Sequence, residues 1–452
     1  MLTKIIAIDD DPTGSQTVHG YLLLTRWNTQ TLLEGLRDDS PLCFILSNTR
    51  GMDAERAAAV TREICVNLRA ALQEMADAGQ AIQPVIVSRS DSTLRGHYPV
   101  ETDVISEELG PFDAHFLVPA FFEGGRITRG GVHYLVTDGE AVRVDQTEFA
   151  KDSVFGFSTS YMPDYVEEKT AGRIAAEAVQ HFDLADVRGD LSARLRALEN
   201  NSCCVVDAEL PADLDNFAKQ VLTAAAAGKR FLFRSAASLL TSLAGLPPQP
   251  VAPADMGRLV RNGRPGAVLV GSHVNKSSRQ LQQLIDTTAV VPVHVDLDRM
   301  VADEDRLFAA LIAELEMAFG DNRSVVIYTS RGERTFATTA ERLTFGEQVS
   351  AFLMRLVRNL PRDTGFLVSK GGITSNDTLS VGLALSTARV VGQIHPGCSV
   401  VVCPQTHPRY PGLPVVIFPG NVGGDDALAS VYSVLASPSE DAGGPPLTAC
   451  AS

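Results

Sequence analysis

Short apolar runs that end in polar or glycine-rich turns recur along the first half of the chain and predict β-strands. Between several of them, residues 54–75, 170–179 and 213–227 show the spacing of helices. This alternation predicts an α/β domain with a largely parallel sheet. The strands are predicted at residues 5–8, 42–46, 85–87, 115–118, 203–206 and 230–233.

A proline-rich stretch interrupts this pattern and predicts a domain boundary. Residues 246–255 read LPPQPVAPAD, and the prolines remove backbone donors and disfavour helix. We therefore predict two α/β domains, 1–245 and 266–436, joined by a hinge region at 246–265 and followed by a flexible tail at 437–452. In the second domain, strands are predicted at residues 267–270, 291–295, 324–328, 365–369, 399–403 and 415–418.

Composition narrows the class of protein. The 452 residues carry 39 Lys and Arg against 54 Asp and Glu, a formal charge of −15, which argues against nucleic acid as a partner. The seven cysteines form no CxxC pair, so we expect reduced thiols rather than a disulfide framework or a zinc site. The sequence contains neither a run of 18 apolar residues nor a signal-like segment, so we predict no membrane partner and a cytoplasmic location.

Three consecutive carboxylates follow the first predicted strand. Asp9, Asp10 and Asp11 precede Pro12 and Thr13 in the segment IIAIDDDPTGSQ. Like charges crowded at a strand end are costly unless a cation, a proton or a substrate hydroxyl relieves them, which favours metal binding or base catalysis. A solvated acidic turn is the structural alternative.

Two further strand ends in the first half carry arginines. In PVIVSRSDSTLRGHY, Arg89 and Arg95 beside Ser90 and Asp91 would form a carboxylate-binding corner, although a capped helix with surface arginines fits the same pattern. In FLVPAFFEGGRITRGGVHY, Arg126 follows two glycines that allow either close approach to a ligand or an ordinary tight loop. Neither segment decides a function by itself.

The second half contains three glycine-bearing turns, each directly after a predicted strand. They lie in VLVGSHVNKSSRQ, LVSKGGITSNDTL and FPGNVGGDDAL. Such turns can wrap phosphates with main-chain amides, although GG pairs mostly form ordinary turns. The first lacks the second glycine of a Walker A loop, so a P-loop is excluded.

Taken in order, these segments resemble the four-carbon acid sugar kinase family over nearly the whole chain. The matches in the first half are DDxTG, TDSTLRG and PAFxExGR, and those in the second half are GSxSxxTxxQ, GGxTS and SGNFG. Departures from the family pattern concern Arg89 and Ser90 in place of Lys-Thr, and Val274, Pro419 and Val422 in the second half. The matching positions are Asp10, Asp11, Thr13 and Gly14; residues 91–96; residues 119–126; Gly271, Ser272, Ser277 and Gln280; Gly371, Gly372, Thr374 and Ser375; and Gly420, Asn421 and Gly423.

The resemblance implies an ATP-dependent kinase that uses Mg²⁺ and binds the sugar acid in its first domain and ATP in its second, the two ligands meeting in the interdomain cleft. It implies Asp10 or Asp11 as the base that accepts the hydroxyl proton. The acid itself, the metal ligands and the oligomeric state are left open, with a homodimer as one alternative. The implied acid contacts are Thr13, Ser90, Asp91, Arg95 and Arg126, and the implied nucleotide contacts are Ser272, Gly371, Gly372, Ile373, Thr374, Gly420, Asn421 and Gly423.

Two alternatives from other classes are weighed against this interpretation. Asp9, Asp11 and Thr13 spell the DxDxT motif of haloacid-dehalogenase-like phosphatases, in which the first Asp is a nucleophile. That chemistry needs a further acidic pair nearby, but Asp425 and Asp426 fall in the other predicted domain. A two-domain protein that binds a sugar acid without chemistry would leave the three glycine turns without a purpose.

Overall fold

The computed structural model describes residues 2–12, 14, 17–137, 139–271, 274–331, 336, 338–420 and 422–437. Three residues singled out by the sequence, Thr13, Ser272 and Asn421, lie outside the described residues, as does the predicted tail beyond Ser437. The chain divides into two compact units, unit 1 up to Pro248 and unit 2 from Gln249.

Unit 1 contains a sheet whose strands are all parallel, in the order β2-β3-β1-β4-β11-β5-β10-β9. A separate antiparallel meander consists of β6, β7 and β8. The strands of unit 1 are β1 Leu2–Asp9, β2 Leu22–Leu24, β3 Leu42–Leu46, β4 Ile82–Arg89, β5 Ala114–Val118, β6 Arg126–Arg129, β7 Val132–Thr137, β8 Glu140–Arg143, β9 Gln180–Phe182, β10 Ser202–Val206 and β11 Phe231–Ser235.

Helices cover both faces of this sheet, as its nearly continuous apolar strands require. On one face, α1, α2 and α3 pack against Ile6, Ile8 and Ile86. On the other, Phe217 of α7 packs edge-on against Phe116 and Phe233. The helices of unit 1 are α1 Thr29–Arg37, α2 Ala54–Asp77, α3 Val100–Leu109, α4 Met162–Lys169, α5 Leu184–Arg188, α6 Ser192–Ala197, α7 Pro211–Ala226 and α8 Ala237–Ala244.

One predicted helix of unit 1 is wrong. Residues 170–179 do not form a helix, because α4 ends at Lys169 and, after Thr170, Ala171 and Gly172 have φ angles of 52° and 78°. These left-handed conformations break a right-handed helix. Only a single 3₁₀ turn, Ala176–Ala178, forms in the predicted range.

Unit 2 contains a sheet in the order β13-β14-β12-β15-β18-β17-β16, parallel as far as β18 and antiparallel from there to β16. Its strands are β12 Ala267–Val270, β13 Val291–Val295, β14 Val325–Thr329, β15 Leu367–Lys370, β16 Thr387–His395, β17 Cys398–Val402 and β18 Pro414–Phe418. Its helices are α9 Asn275–Thr287, α10 Leu297–Ala302, α11 Glu304–Gly320, α12 Thr339–Arg358, α13 Gly372–Asp377 and α14 Ala427–Ala436.

The core of unit 2 includes residues of two helices and of the strands that precede them. Leu281 and Leu284 of α9 and Leu428 of α14 pack with Val270 and Phe418, the last residues of β12 and β18. Helices α9 and α14 therefore share one core with strands β12 and β18. The α/β class and the largely parallel sheet agree with the prediction. Among the described helices, none combines the length and apolar character needed to cross a membrane.

Candidate active site

Asp9, Asp10 and Asp11 lie at the carboxyl end of β1, at the switch point of the unit 1 sheet. Strand β1 lies between β3 and β4, so the chain adds β3 on one side of β1 and then crosses to add β4 on the other side. Ligands in open α/β sheets bind at such a switch point, beyond the carboxyl ends of the strands. Asp9, the last residue of β1, is paired in register with Arg89, the last residue of β4.

Asp9 is fully buried at this point. Its Oδ1 lies 3.3 Å from Nη1 of Arg89, while Oδ2 has no hydrogen-bond partner among the described residues. Burial raises the pKa of Asp9 to about 7, against the opposing effect of Arg89. Gly14 packs on this carboxylate, since a Cβ at residue 14 would lie 2.0 Å from Oδ2 of Asp9. The glycine of the DDxTG segment is thus required by close packing.

Arg50, which follows β3, joins the carboxylates of the site. It bonds both oxygens of Asp10, with Nε donating to Oδ2 over 3.1 Å, and Nη1 lies 3.3 Å from Oδ2 of Asp11 and 3.7 Å from Oδ1 of Asp91. Asp10 is buried, and that burial raises its pKa although the charge of Arg50 lowers it. The crowding predicted from the sequence is therefore relieved by a guanidinium in this structure.

Asp91 is held by a second arginine. Nε and Nη2 of Arg95 donate to its two oxygens over 2.9 and 3.3 Å, and the hydroxyl of Thr93 also donates to it. Burial raises the pKa of Asp91, but Arg50 and Arg95 more than offset this and hold it below its usual range. Arg95 therefore has a protein carboxylate as its partner, and its contact with a substrate carboxylate stays a prediction.

Ser90 and Arg126 complete the predicted acid site. Ser90 is buried, and its hydroxyl donates to the carbonyl of Arg95 over 3.2 Å. Arg126 begins β6 and donates to the carbonyl of Gly124 through Nη1, whereas its buried Nε lacks a partner in the described part of the chain. Burial lowers the pKa of Arg126, while the charge of Asp91 raises it. The structure therefore brings the described acid-site residues to one end of the unit 1 sheet.

Unit 2 has its own switch point, between β12 and β15. The strands end at Val270 and Lys370, which are paired in register, so the turns at Gly271 and Gly371 lie side by side. A Cβ on Gly271 would lie 2.4 Å from Oγ1 of Thr374, and Gly371 has a φ angle of 118°. Both positions therefore require glycine for local geometry.

Three polar side chains donate hydrogen bonds to carbonyls of the third glycine turn, which follows β18. Lys370 is completely buried, and its Nζ donates to the carbonyls of Pro419 and Gly420 over 2.5 and 3.0 Å. Ser277 donates to the carbonyl of Gly420 over 3.0 Å, and Gln280 donates to that of Val422 over 2.9 Å. These bonds hold the carbonyls of Pro419, Gly420 and Val422 in place.

The nucleotide residues predicted in unit 2 differ in exposure. Ile373, in the first turn of α13, is 69% exposed, whereas Gly423 packs so closely that a Cβ there would lie 2.4 Å from the Cβ of Ala427. Gly372 and Thr374 flank Ile373 at the start of α13. The structure thus brings the described members of this set to the carboxyl ends of β15 and β18.

Sequence reasoning missed Arg50, Arg234 and Lys370. Arg50 comes four residues after β3, and Arg234 and Lys370 each lie at the end of a buried strand. A basic residue inside an otherwise apolar strand is the signal that could have found the last two, because such a charge needs a partner. Among the described residues, no cluster of three or more His, Cys, Asp or Glu side chains is arranged to hold a metal ion.

Two family models match the chain. The model of a sugar-binding N-terminal domain matches residues 5–243, more than half of the chain, and that of a nucleotide-binding C-terminal domain matches residues 267–428. The chain belongs to the four-carbon acid sugar kinase family. The resemblance inferred from the six sequence segments is confirmed.

Curated relatives of this family cover half of the chain. A D-erythronate kinase of Heliobacterium modesticaldum is 27% identical over 226 residues, 48% of this chain and 48% of the relative. A D-threonate kinase of Bordetella bronchiseptica is 27% identical over 222 residues, 47% of this chain and 49% of the relative. The chain thus spans about half the length of the curated relatives it matches.

A solved structure supports the fold over a longer stretch. The Haemophilus influenzae protein HI1011, of the DUF1537 family, superposes with a TM-score of 0.66 over 95% of this chain and 100% of its own. At 16% identity this likeness shows the fold alone.

Proposed function

We propose that the protein is an ATP-dependent kinase that phosphorylates a hydroxyl of a small sugar acid of four or five carbons, such as threonate, erythronate or an oxo-tetronate. The observation that carries the proposal is the match of unit 1 to a sugar-binding model and of unit 2 to a nucleotide-binding model within one chain. The names of the two curated kinases support this class of substrate. The domain limits 1–245 and 266–436 and the hinge at 246–265 belong to the same proposal.

The acid is proposed to bind at the switch point of unit 1. Its polar groups would contact Ser90, Asp91, Arg95 and Arg126, together with Thr13. The guanidinium groups supply charge-assisted hydrogen bonds, which give orientation as well as affinity. Arg50 supports this site by holding Asp91 and Asp10 in place.

The proton of the reacting hydroxyl is proposed to pass to Asp10 or Asp11. Phosphoryl transfer needs the hydroxyl aligned with the γ-phosphate, and a carboxylate at hydrogen-bond distance can accept its proton. Asp10 is buried, and its raised pKa favours proton acceptance, while the side chain of Asp11 is more exposed. Arg50 contacts both carboxylates and so supports their orientation.

The nucleotide is proposed to bind at the switch point of unit 2. Main-chain amides of Gly372, Thr374 and Gly420 would face its phosphates. The amide of Gly371 donates to the carbonyl of Phe418 over 2.8 Å, so Gly371 is a proposed contact of another kind, together with Ser272, Ile373, Asn421 and Gly423. Mg²⁺ bound to the phosphates would neutralise charge that develops during transfer. Asp9 and Asp10 are paired with Arg89 and Arg50, and within the described part of the chain no cluster of His, Cys, Asp or Glu is arranged to hold a metal ion.

The proposal also includes a cytoplasmic location and a set of binding partners. The six cysteines among the described residues are free and buried, which supports a reducing compartment, the cytoplasm. Small sugar acids are the proposed partners, without nucleic acid or membrane, and a homodimer stays a prediction.

The test is a panel of four- and five-carbon sugar acids incubated with ATP and Mg²⁺ and followed by ADP release. We expect at least one acid to stimulate ADP release strongly over the protein alone. A protein that only binds the acids would release no ADP. A phosphatase would instead release phosphate from phosphorylated acids without ATP.

A further inference from the structure

His133 of β7 holds the backbone of the segment 91–96, which contains two of the proposed acid contacts. The imidazole is completely buried, and its Nε2 lies 2.8 Å from the carbonyl oxygen of Ser92. Because a carbonyl oxygen only accepts hydrogen bonds, Nε2 carries the hydrogen and donates it. Burial lowers the pKa of His133 to about 4, so the neutral ring uses Nδ1 to accept a hydrogen bond from the hydroxyl of Thr128, 2.9 Å away.

Tyr165 of α4 holds the same segment two residues further along. The hydroxyl of this buried tyrosine donates to the carbonyl of Leu94 over 2.8 Å. Leu94 has a φ angle of 69°, a left-handed conformation that is unfavourable for a residue with a Cβ and persists only where the surrounding structure holds it. The side chains of Leu94 and Tyr165 belong to one buried cluster. The tyrosine therefore stabilises a backbone conformation that the leucine by itself disfavours.

Strand β7 and helix α4, which supply these two side chains, are joined to each other. The amide of Met162, at the start of α4, donates to the carbonyl of Gly131, directly before β7, over 2.7 Å. The meander is also fixed to the main sheet of unit 1, because Thr128 of β6 exchanges two backbone hydrogen bonds of 2.9 Å with Ala208, two residues after β10. The histidine and the tyrosine thus hold the segment from a connected part of the unit.

The held carbonyls lie next to the proposed acid contacts in the chain. Ser92 follows Asp91, and Leu94 precedes Arg95, so a shift of either carbonyl would move a peptide that carries an acid contact. The ion pair between Asp91 and Arg95 lies within the segment and does not by itself attach it to the rest of the unit. The histidine and the tyrosine do supply such an attachment.

We propose that His133 and Tyr165 are positioning residues, which hold the segment 91–96 in the conformation that binds the acid. This inference rests on the proposed function for its ligand, a small sugar acid, whereas the attachment of the segment is measurable without any ligand. Neither side chain needs to touch the acid. Loss of one attachment should weaken acid binding and leave nucleotide binding by unit 2 unchanged.

The attachment is measured by amide hydrogen exchange of the full chain without ligand, because local opening speeds exchange in the segment that opens. Tyr165→Phe removes only the hydroxyl and keeps the ring in its buried cluster. We expect amides of residues 91–96 to exchange roughly threefold to tenfold faster in this variant, the equivalent of about one lost hydrogen bond, while those of β1 and β3 keep wild-type rates. An unchanged rate in residues 91–96 would overturn the inference.

The consequence for binding is measured with the acid that the wild type phosphorylates most efficiently. Tyr165→Phe and His133→Leu should each raise KM for the acid roughly threefold to tenfold with little change in kcat, the pattern of lost binding rather than lost chemistry. His133→Gln keeps an amide donor for the carbonyl of Ser92, so it should restore most of the wild-type KM. An unchanged KM in the Phe and Leu variants, or an equal loss of ADP affinity, would contradict the positioning role.

The matched controls are His115→Leu and Tyr410→Phe. His115 is also buried, and its Nδ1 lies 3.1 Å from the carbonyl oxygen of Asn201, which is next to no predicted site residue in the chain. Tyr410, in unit 2, donates its hydroxyl to the carbonyl of Leu360 over 2.8 Å. Both controls should keep the wild-type KM for the acid, even where stability falls. A rise in KM equal to that of the test variants would assign the effect to lost stability and overturn the inference.

The proposed function fails in a different way. If no acid of the panel stimulates ADP release, the kinase proposal is wrong, and calorimetry of acid binding to the wild type and the same variants then decides the positioning role. If no acid binds to the wild type either, both proposals are wrong.

Discussion

The guanidinium of Arg50 is bonded to both carboxylate oxygens of Asp10, with Nε donating to Oδ2 over 3.1 Å. The same group also lies within 4 Å of Asp11 and Asp91, so one side chain contacts three carboxylates from two strand ends. Removing it would leave the buried carboxylate of Asp10 without its hydrogen-bonded partner. The stability of unit 1 and the geometry of its proposed acid site therefore depend on the same residue.

Substituting Arg50 with Met should lower the free energy of unfolding by about 3–5 kcal/mol, the scale for removing one partner of a buried ion pair. Affinity for the sugar acid should fall as well, because Asp91 loses one of the two guanidinium groups beside it and keeps only Arg95. Arg50→Lys should be intermediate, since lysine keeps the charge but not the two-pronged geometry. Urea unfolding and calorimetry measure both effects.

The control for this prediction is Arg37→Met. Arg37 lies 3.7 Å from Glu74 on the surface, and such pairs contribute about 0–1 kcal/mol. An Arg50→Met variant as stable as Arg37→Met would show that the carboxylates do not need the guanidinium.

Asn variants at positions 9, 10 and 11 test the assignment of the base. Asn at position 10 or 11 should lower kcat by at least roughly a hundredfold while both ligands still bind, because a lost general base affects the chemical step. Asp39→Asn, on the surface of the same unit, is the control and should keep full activity. Should only the Asp9 variant be inactive, with phosphate released from phosphorylated acids, the phosphatase alternative would replace the kinase.

The pKa of Asp9 predicts a pH dependence of stability. Burial raises this pKa from 3.8 to about 7, so between these values the folded state binds more protons than the unfolded state. The contribution of Asp9 to stability is therefore fully present below about pH 4 and is lost as pH rises to about 7. Above pH 7, Asp9→Asn should be more stable than the wild type by on the order of a few kcal/mol.

Denaturant unfolding of both proteins from pH 4 to pH 8 measures this difference. It should grow with pH across the range and level off above about pH 7. A difference that does not change with pH would mean that Asp9 is ionised throughout the range.

The strand positions show how far the sequence alone can predict this fold. Buried strands such as β1 and β12 are short apolar runs between turn residues, so local pattern reveals them. Strand β16 was missed, because its residues 387–395 alternate between buried and half-exposed side chains without a clear apolar run. The order of the strands in the sheet likewise cannot be predicted from a local pattern.

The same limit applies to the site. Asp10 and Asp11 were found because they lie next to a turn motif, but Arg50 is 39 residues further along and meets them only when β3 pairs with β1. Arg234 reaches the site through β11, which lies beside β4. Residues of this kind are predictable only once the order of the strands is known.

Lys370 gives a prediction for the nucleotide site. Burial lowers its pKa to about 7, and its Nζ bonds two carbonyls of the turn after β18. Substitution with Met should release that turn, and we expect ADP affinity to fall by at least roughly tenfold, the equivalent of about one lost hydrogen bond. Affinity for the sugar acid should not change.

Lys229→Met is the matched control, because Lys229 bonds Asp113 and the carbonyl of Leu198 in unit 1. It should leave ADP affinity intact. Equal ADP affinity in the Lys370→Met variant and the wild type would show that the turn after β18 does not contact the nucleotide.

The most direct test of the central claim follows the γ-phosphoryl group itself. The full chain is incubated with γ-labelled ATP, Mg²⁺ and each acid of the panel, and the label is located by chromatography and mass spectrometry. The account predicts that, for at least one acid, the label moves to the acid in an amount equal to the ADP formed. Label that stays in ATP or appears only as inorganic phosphate with every acid would contradict it.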